Sequence, residues 1–168
     1  MSALAPAELT AVSRASQKSE PTQPAKLREV LTYRVGDVEY GLDILAVQEI
    51  RSYEKSTRIA NAPAHLLGVV NLRGTVIAIH DLRVLLGAGQ AEFNANTVAV
   101  MLHTATGVVG CVVDSVNDVV SLSAADIRPT PLVNAHVEQF VEGIACLGEG
   151  SHRRTVVLLD VSGLLAAA

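Results

Sequence analysis

From about Leu31 onward the hydrophobic positions fall into short Val/Ile/Leu runs, several of them alternating with polar residues, and most are separated by Gly, Asn, Asp or Ser. Alternation over about 4 to 8 residues marks a strand buried on one face, and many such runs at close spacing predict an all-β barrel or sandwich. Ten stretches qualify: VLTYRV, VEYGLDI, VQEIRS, GVVNL, TVIAIHD, TVAVMLH, GVVGCVVD, DVVSL, FVEGIACLG and TVVLLD. Gly36-Asp37, between the first two, reads as a hairpin turn. Helices are few and short. They are expected around APAHLL, where Pro63 can open a turn, at DLRVLL, and at the C-terminal DVSGLL.

The same events occur twice along the chain. Gly41 precedes Val47 within GLDILAV as Gly110 precedes Val116 within GCVVDSV, and VQEI matches VNDV with Glu49 opposite Asp118. Farther on, GVVNLRGTVIAIHDLRVLL aligns with GIACLG and, after a short insertion, TVVLLDVSGLL. A duplication explains this most simply and predicts two five-stranded lobes with a groove where they meet, the first over about 31–86 and the second over about 97–165. One turn differs between the copies: NLRGT in the first, CLGEGSHRRT in the second. Arg73 is therefore not required to build a lobe, and its guanidinium reads equally as a group offered to a partner and as an ordinary solvated turn charge. Glu49 is either an ion-pair partner or a solvated edge-strand charge that discourages edge-to-edge pairing.

Composition narrows the function classes. The 168 residues are 49% hydrophobic, 18% charged and 3% aromatic with no Trp, so the core must be aliphatic. Thirteen Lys and Arg against seventeen Asp and Glu give a net charge of −4, the wrong sign for neutralising phosphates, and nucleic acid is not an expected partner. Residues 1–26, rich in Ala, Ser, Pro, Gln and Thr, predict a flexible tail that folding and binding can spare, with the domain spanning 27–168. The N-terminus has no signal-like apolar stretch and the chain no membrane-length one, which points to a cytoplasmic protein without membrane insertion. Cys111 and Cys146 lack metal-ligand spacing and read as buried free thiols.

Catalytic constellations are sparse. His65, His80, His103, His136 and His152 are scattered, and His80-Asp81 resembles a phosphohydrolase metal dipeptide but ends a strand rather than lying on a helix. A structural histidine followed by a capping aspartate is the plainer reading, with a metal-dependent hydrolase as its alternative. There is neither a phosphate-cradling glycine loop nor a GxSxG elbow. An enzyme is not expected, and no metal or cofactor is called for.

EYGLDILAVQEI, TRIANAPAHLLGVVNLRGTVIAIHDLR, VVGCVVDSVNDVVSL, IRPTP and the late GIACLG with VVLLDV together resemble the bacterial chemotaxis coupling proteins of the CheW family, from about Leu31 to Leu165. Ala78 and His80 depart from that family's usual proline and aliphatic residue. The resemblance implies paired SH3-like β-barrels and a non-enzymatic adaptor. Such an adaptor joins the cytoplasmic tips of methyl-accepting chemoreceptors to the regulatory domain of the histidine kinase CheA, in arrays where weak self-association is open. It further implies Val47, Glu49, Arg73, Val116 and Val119 on the receptor side and Gly68 on the kinase side. An adaptor serving a non-chemotactic sensory kinase would share the fold.

Overall fold

The computed structural model describes residues 27–89, 92–130 and 137–168. The tail and His136 lie outside these. Eleven strands and two short α-helices follow one another in the order the alternation predicts. The first half runs β1 (Arg28–Val35), β2 (Val38–Asp43), β3 (Val47–Ser52), β4 (Leu66–Leu72), β5 (Thr75–Asp81) and α1 (Leu82–Leu85). The second runs β6 (Val98–Thr104), β7 (Gly107–Val113), β8 (Ser115–Leu122), β9 (Ile127–Arg128), β10 (Val141–Leu147), β11 (Arg154–Leu159) and α2 (Val161–Ala167). The helix expected at APAHLL is absent. There, turns closed by Ala62 N–H on the Ile59 carbonyl and Leu66 N–H on the Pro63 carbonyl lead straight into β4.

The strands form two sheets, and the sheets do not follow the two sequence halves. One has the order β8-β1-β2-β11-β10-β9 and the other β3-β6-β7-β5-β4. Each takes a leading hairpin from one repeat (β1–β2 or β6–β7) and the remaining strands from the other. The exchange is reciprocal: β2 pairs in parallel with β11 as β5 pairs with β7. The contiguous lobes 31–86 and 97–165 are thus not the spatial units, and one sheet has six strands rather than five. Alternation shows which residues face inward but carries no information on which strands pair. Short crossovers make the exchange. Asp43 caps the turn Ile44–Ala46 by accepting from Leu45 N–H at 2.9 Å. Asp114, between β7 and β8, bonds the first hairpin twice: its N–H donates to the Arg34 carbonyl at 3.0 Å, and its carboxylate accepts from Gly36 N–H at 2.7 Å.

The duplication is visible in atomic detail. Gly41 and Gly110 both face space that a Cβ would fill, 2.5 Å from Val30 Cγ1 in one case and 2.4 Å from Ile79 Cδ1 in the other. Asp81 and Asp160 each cap the helix that follows, accepting from Arg83 and Gly163 N–H. Each sheet encloses an apolar cluster of its own: Leu72, Ile77, Ile79, Ala99, Met101 and Val112 in the five-stranded sheet, and Val30, Leu122, Ala145, Val156 and Leu158 in the six-stranded one. A third cluster joins them, with Leu31, Tyr33, Leu102, Cys111, Val113 and, from the helices, Leu82, Val161 and Leu164. Fully burying a side chain of Leu size contributes about 1.5–3 kcal/mol, so this shared layer fixes the lobes to each other. Strand pairing leaves both sheets open among the described residues. Even so, the five-stranded sheet curls strongly enough that residues from its two outer ends touch.

Candidate functional site

The touching residues are Glu49 and Arg73. Glu49 lies on β3, one edge of the five-stranded sheet, and Arg73 in the turn after β4, the opposite edge; Arg73 Nη2 sits 3.2 Å from Glu49 Oε2. Leu72 pairs with Thr75, so Arg73-Gly74 is a two-residue hairpin loop with φ of 51° and 86°. Such loops favour Asn or Gly, because a Cβ at positive φ crowds the backbone. Asn71 supports the turn by accepting from Gly74 N–H at 2.8 Å. An arginine held in the left-handed region is a poor choice for the turn itself, and its side chain, 75% exposed, makes no packing contribution that would offset the strain.

Around this pair β3 is amphipathic. Val47 is half-buried against the shared core, Glu49 also lies 3.6 Å from the Arg51 guanidinium as an ion pair, and Ile50 projects outward at 44% exposure. Ile50 was not among the residues singled out from sequence, though its match to Val119 in the repeat marks it. Val116 packs against the shared core as Val47 does, while Val119 is exposed on β8, the edge of the other sheet. The structure brings Glu49 and Arg73 together and sets Val47 and Val116 against one core. Val119 stands on a different edge from Glu49.

Gly68 is elsewhere and has a structural reason. It is buried on β4 at a shift in the β4–β5 register, with φ of 149°, and a Cβ there would lie 2.1 Å from the Thr57 carbonyl oxygen. Thr57 and Val69 exchange backbone hydrogen bonds of 2.9 Å beside it. The bare backbone at Gly68 lets the Ser56–Thr57 segment close over β4.

The second copy has its own arginine for its acid, from the strand after the longer turn. Arg154, the first residue of β11, places Nη2 2.7 Å from Asp118 Oδ1 and Nη1 3.1 Å from Oδ2. The Arg154 and Thr32 hydrogen bonds hold the Asp118 carboxyl below its usual range. Cys146 is also corrected, being exposed on β10, whereas Cys111 is buried and its thiol is pushed up to about 12 by that burial. His80 stacks on His65 with ring centroids 5.5 Å apart, and burial, then the neighbouring His65, lowers its pKa. Asp81 is used as the helix cap, and among the described residues no three His, Cys, Asp or Glu side chains gather as a metal site requires.

A family model described as a CheW-like domain matches residues 29–168. The chain belongs to the CheW-like family. It is 43% identical over 141 residues to the chemotaxis protein CheW of Klebsiella aerogenes, covering 83% of this chain and 82% of that protein. CheW of Rhizobium meliloti is 40% identical over 138 residues, covering 82% and 86%. Protein FrzA of Myxococcus xanthus is 28% identical over 141 residues, covering 84% and 87%. Among solved structures, the scaffolding protein TtCheW from Thermoanaerobacter tengcongensis matches with a TM-score of 0.72 at 26% identity, covering 82% of this chain and 86% of that one. Membership places the chain with CheW-type chemotaxis adaptors, and the two-lobed β fold agrees. No helix among the described residues is long and apolar enough to cross a membrane.

Proposed function

We propose that this chain is a non-enzymatic cytoplasmic adaptor that holds the cytoplasmic tips of methyl-accepting chemoreceptors and the regulatory domain of the histidine kinase CheA in fixed relation within membrane-associated arrays. The observation that carries the receptor half is the exposed, strained Arg73 beside Glu49 on an edge flanked by Val47 and Ile50. Apolar side chains there supply area, and a guanidinium forks onto a partner carboxylate to select orientation. Val116 and Val119 extend the receptor side onto β8. Gly68 serves the kinase side through the Ser56–Leu67 segment whose approach it permits. With the lobes joined by one core, a small shift in the receptor helices alters how the kinase is held.

The test is bridging. Receptor hairpin fragments on beads should retain the kinase regulatory domain only when this chain is added. Retention without it, or failure of the chain to bind either ligand alone, would contradict the reading. If the chain instead bridges a sensory kinase from outside chemotaxis, the adaptor mechanism stands and the partner changes.

A further inference from the structure

Among the described residues β8 is an edge strand, paired with β1 alone, and its ladder slips at the point of interest: Leu31 faces Val119 but Tyr33 faces Val116, leaving Asn117 and Asp118 opposite Thr32. A bulge on an edge strand has lost ladder bonds on one side and has no neighbour on the other, so its shape must come from side chains. Here they converge from four strands. Asp118 N–H donates to Thr32 Oγ1 at 3.2 Å, and the Thr32 hydroxyl in turn serves the Asp118 oxygens. Arg154 from β11 grips both Asp118 oxygens, reaches Glu39 Oε1 on β2 at 2.7 Å, and lies 3.2 Å from Thr32 Oγ1. Asn117 Nδ2 donates to the same Glu39 oxygen at 3.0 Å. Both bulge residues are thus tied to one guanidinium or its partner. Removing it would leave two carboxylates facing each other, one of them, Glu39, only 12% exposed.

In the five-stranded sheet the corresponding positions of the hairpin, Met101 and Val108, are apolar, and Glu49 pairs with Arg51 and Arg73 instead of with that hairpin. The network is therefore not a requirement of the fold. It serves the residues it surrounds, and those are Val116 on one side of the bulge and Val119 on the other.

We infer that Arg154 is a positioning residue for β8: by clamping Asp118 to Thr32 and Glu39 it fixes the bulge that presents Val116 and Val119 to the receptor hairpin. This rests on the proposed receptor side including β8. The test uses the full chain with Arg154→Met and Arg154→Lys, read by amide hydrogen exchange along Ser115–Leu122 and by affinity for a receptor hairpin fragment, with Arg73→Ala measured alongside. In Arg154→Met, β8 amides should exchange about tenfold faster or more while β3 amides keep their rates, and hairpin affinity should fall about tenfold. Lysine should recover part, since it holds one carboxylate but cannot fork. Should Arg154→Met fail to fold, Asp118→Asn, which keeps the shape and removes the charge, takes its place with the same expectations. Unchanged β8 exchange would overturn the inference. So would faster exchange with full hairpin affinity while Arg73→Ala binds weakly, leaving the proposed function standing. If neither Arg73→Ala nor Arg154→Met weakens the hairpin, the receptor side itself is misplaced and the inference falls with it.

Discussion

The two sheets solve the same edge differently. Both have a bulged outer strand with an acid at the corresponding place, Glu49 on β3 and Asp118 on β8, and both supply an arginine from a hairpin near the far side. In the six-stranded sheet that arginine is built in, shared among Asp118, Glu39 and Thr32. In the five-stranded sheet it stands in a strained turn, mostly in solvent, with Glu49 as its one ion-pair partner among the described residues. An exposed pair of that kind adds about 0–1 kcal/mol to stability, so the turn strain is not there for the fold. One copy of the duplication ties its arginine to three side chains, and the other leaves it in solvent beside a single acid. The contrast teaches that one arginine shapes its strand while the other is left free to meet something outside the chain.

The largest effect that would sharpen this contrast comes from the twin glycines. Gly68→Ala should lower stability by about 3 kcal/mol or more, read as an earlier denaturation midpoint, because the new Cβ strikes the Thr57 backbone. Gly143→Ala should cost less, about 1–2 kcal/mol, since its Cβ would meet the Ile127 methyl at 2.6 Å and backbone, the Arg128 carbonyl oxygen, only at 3.0 Å. Equal midpoints for the two would show that the approach of Thr57 to β4 is not structural. Next come the arginines themselves. Arg73→Gly should raise stability by about 0.5–1 kcal/mol by relieving positive φ, whereas Arg154→Gly should lower it. Thermal melts of both would break the comparison if the signs agreed.

A smaller effect follows from His80, whose place in the other copy is taken by Leu159. Its folded-state pKa lies below 6.5, so its neutral form is favoured in the fold. That contribution is complete above pH 6.5 and is lost as pH falls through the folded value. His80→Leu should flatten the fall in stability on acidification across that window, and an unchanged slope would remove His80 as its source. Least of all, Cys146→Ser should leave stability unaltered. In the native protein a thiol reagent should modify Cys146 at once and Cys111, buried with its pKa near 12, only on unfolding. Two fast thiols would mean the shared core opens.

Much of this was readable in the residues. Ten of the eleven strands follow from alternation; β9, with two residues, is too short to alternate. The paired glycines and capping aspartates exposed the duplication because backbone geometry demands them locally. The exchange of hairpins was not legible, since strand pairing is non-local. Arg154 escaped for the same reason: its link to Asp118 spans 36 residues, and the longer turn of the second copy hid it. Cys146 was misread as buried although strict alternation along β10, with Gly143 and Ala145 inward, sets it outward. For Arg73 the sequence showed a turn, and only the dihedral angle shows that arginine suits it poorly.

The most direct test of the central claim is the affinity of Arg73→Ala for a receptor hairpin fragment, set against its affinity for the kinase regulatory domain. Loss of an oriented charge-assisted contact should weaken the hairpin more than about tenfold, some 1.4 kcal/mol, with kinase binding and melting temperature unchanged. Full hairpin affinity would contradict the account and leave Arg73 a solvated turn charge.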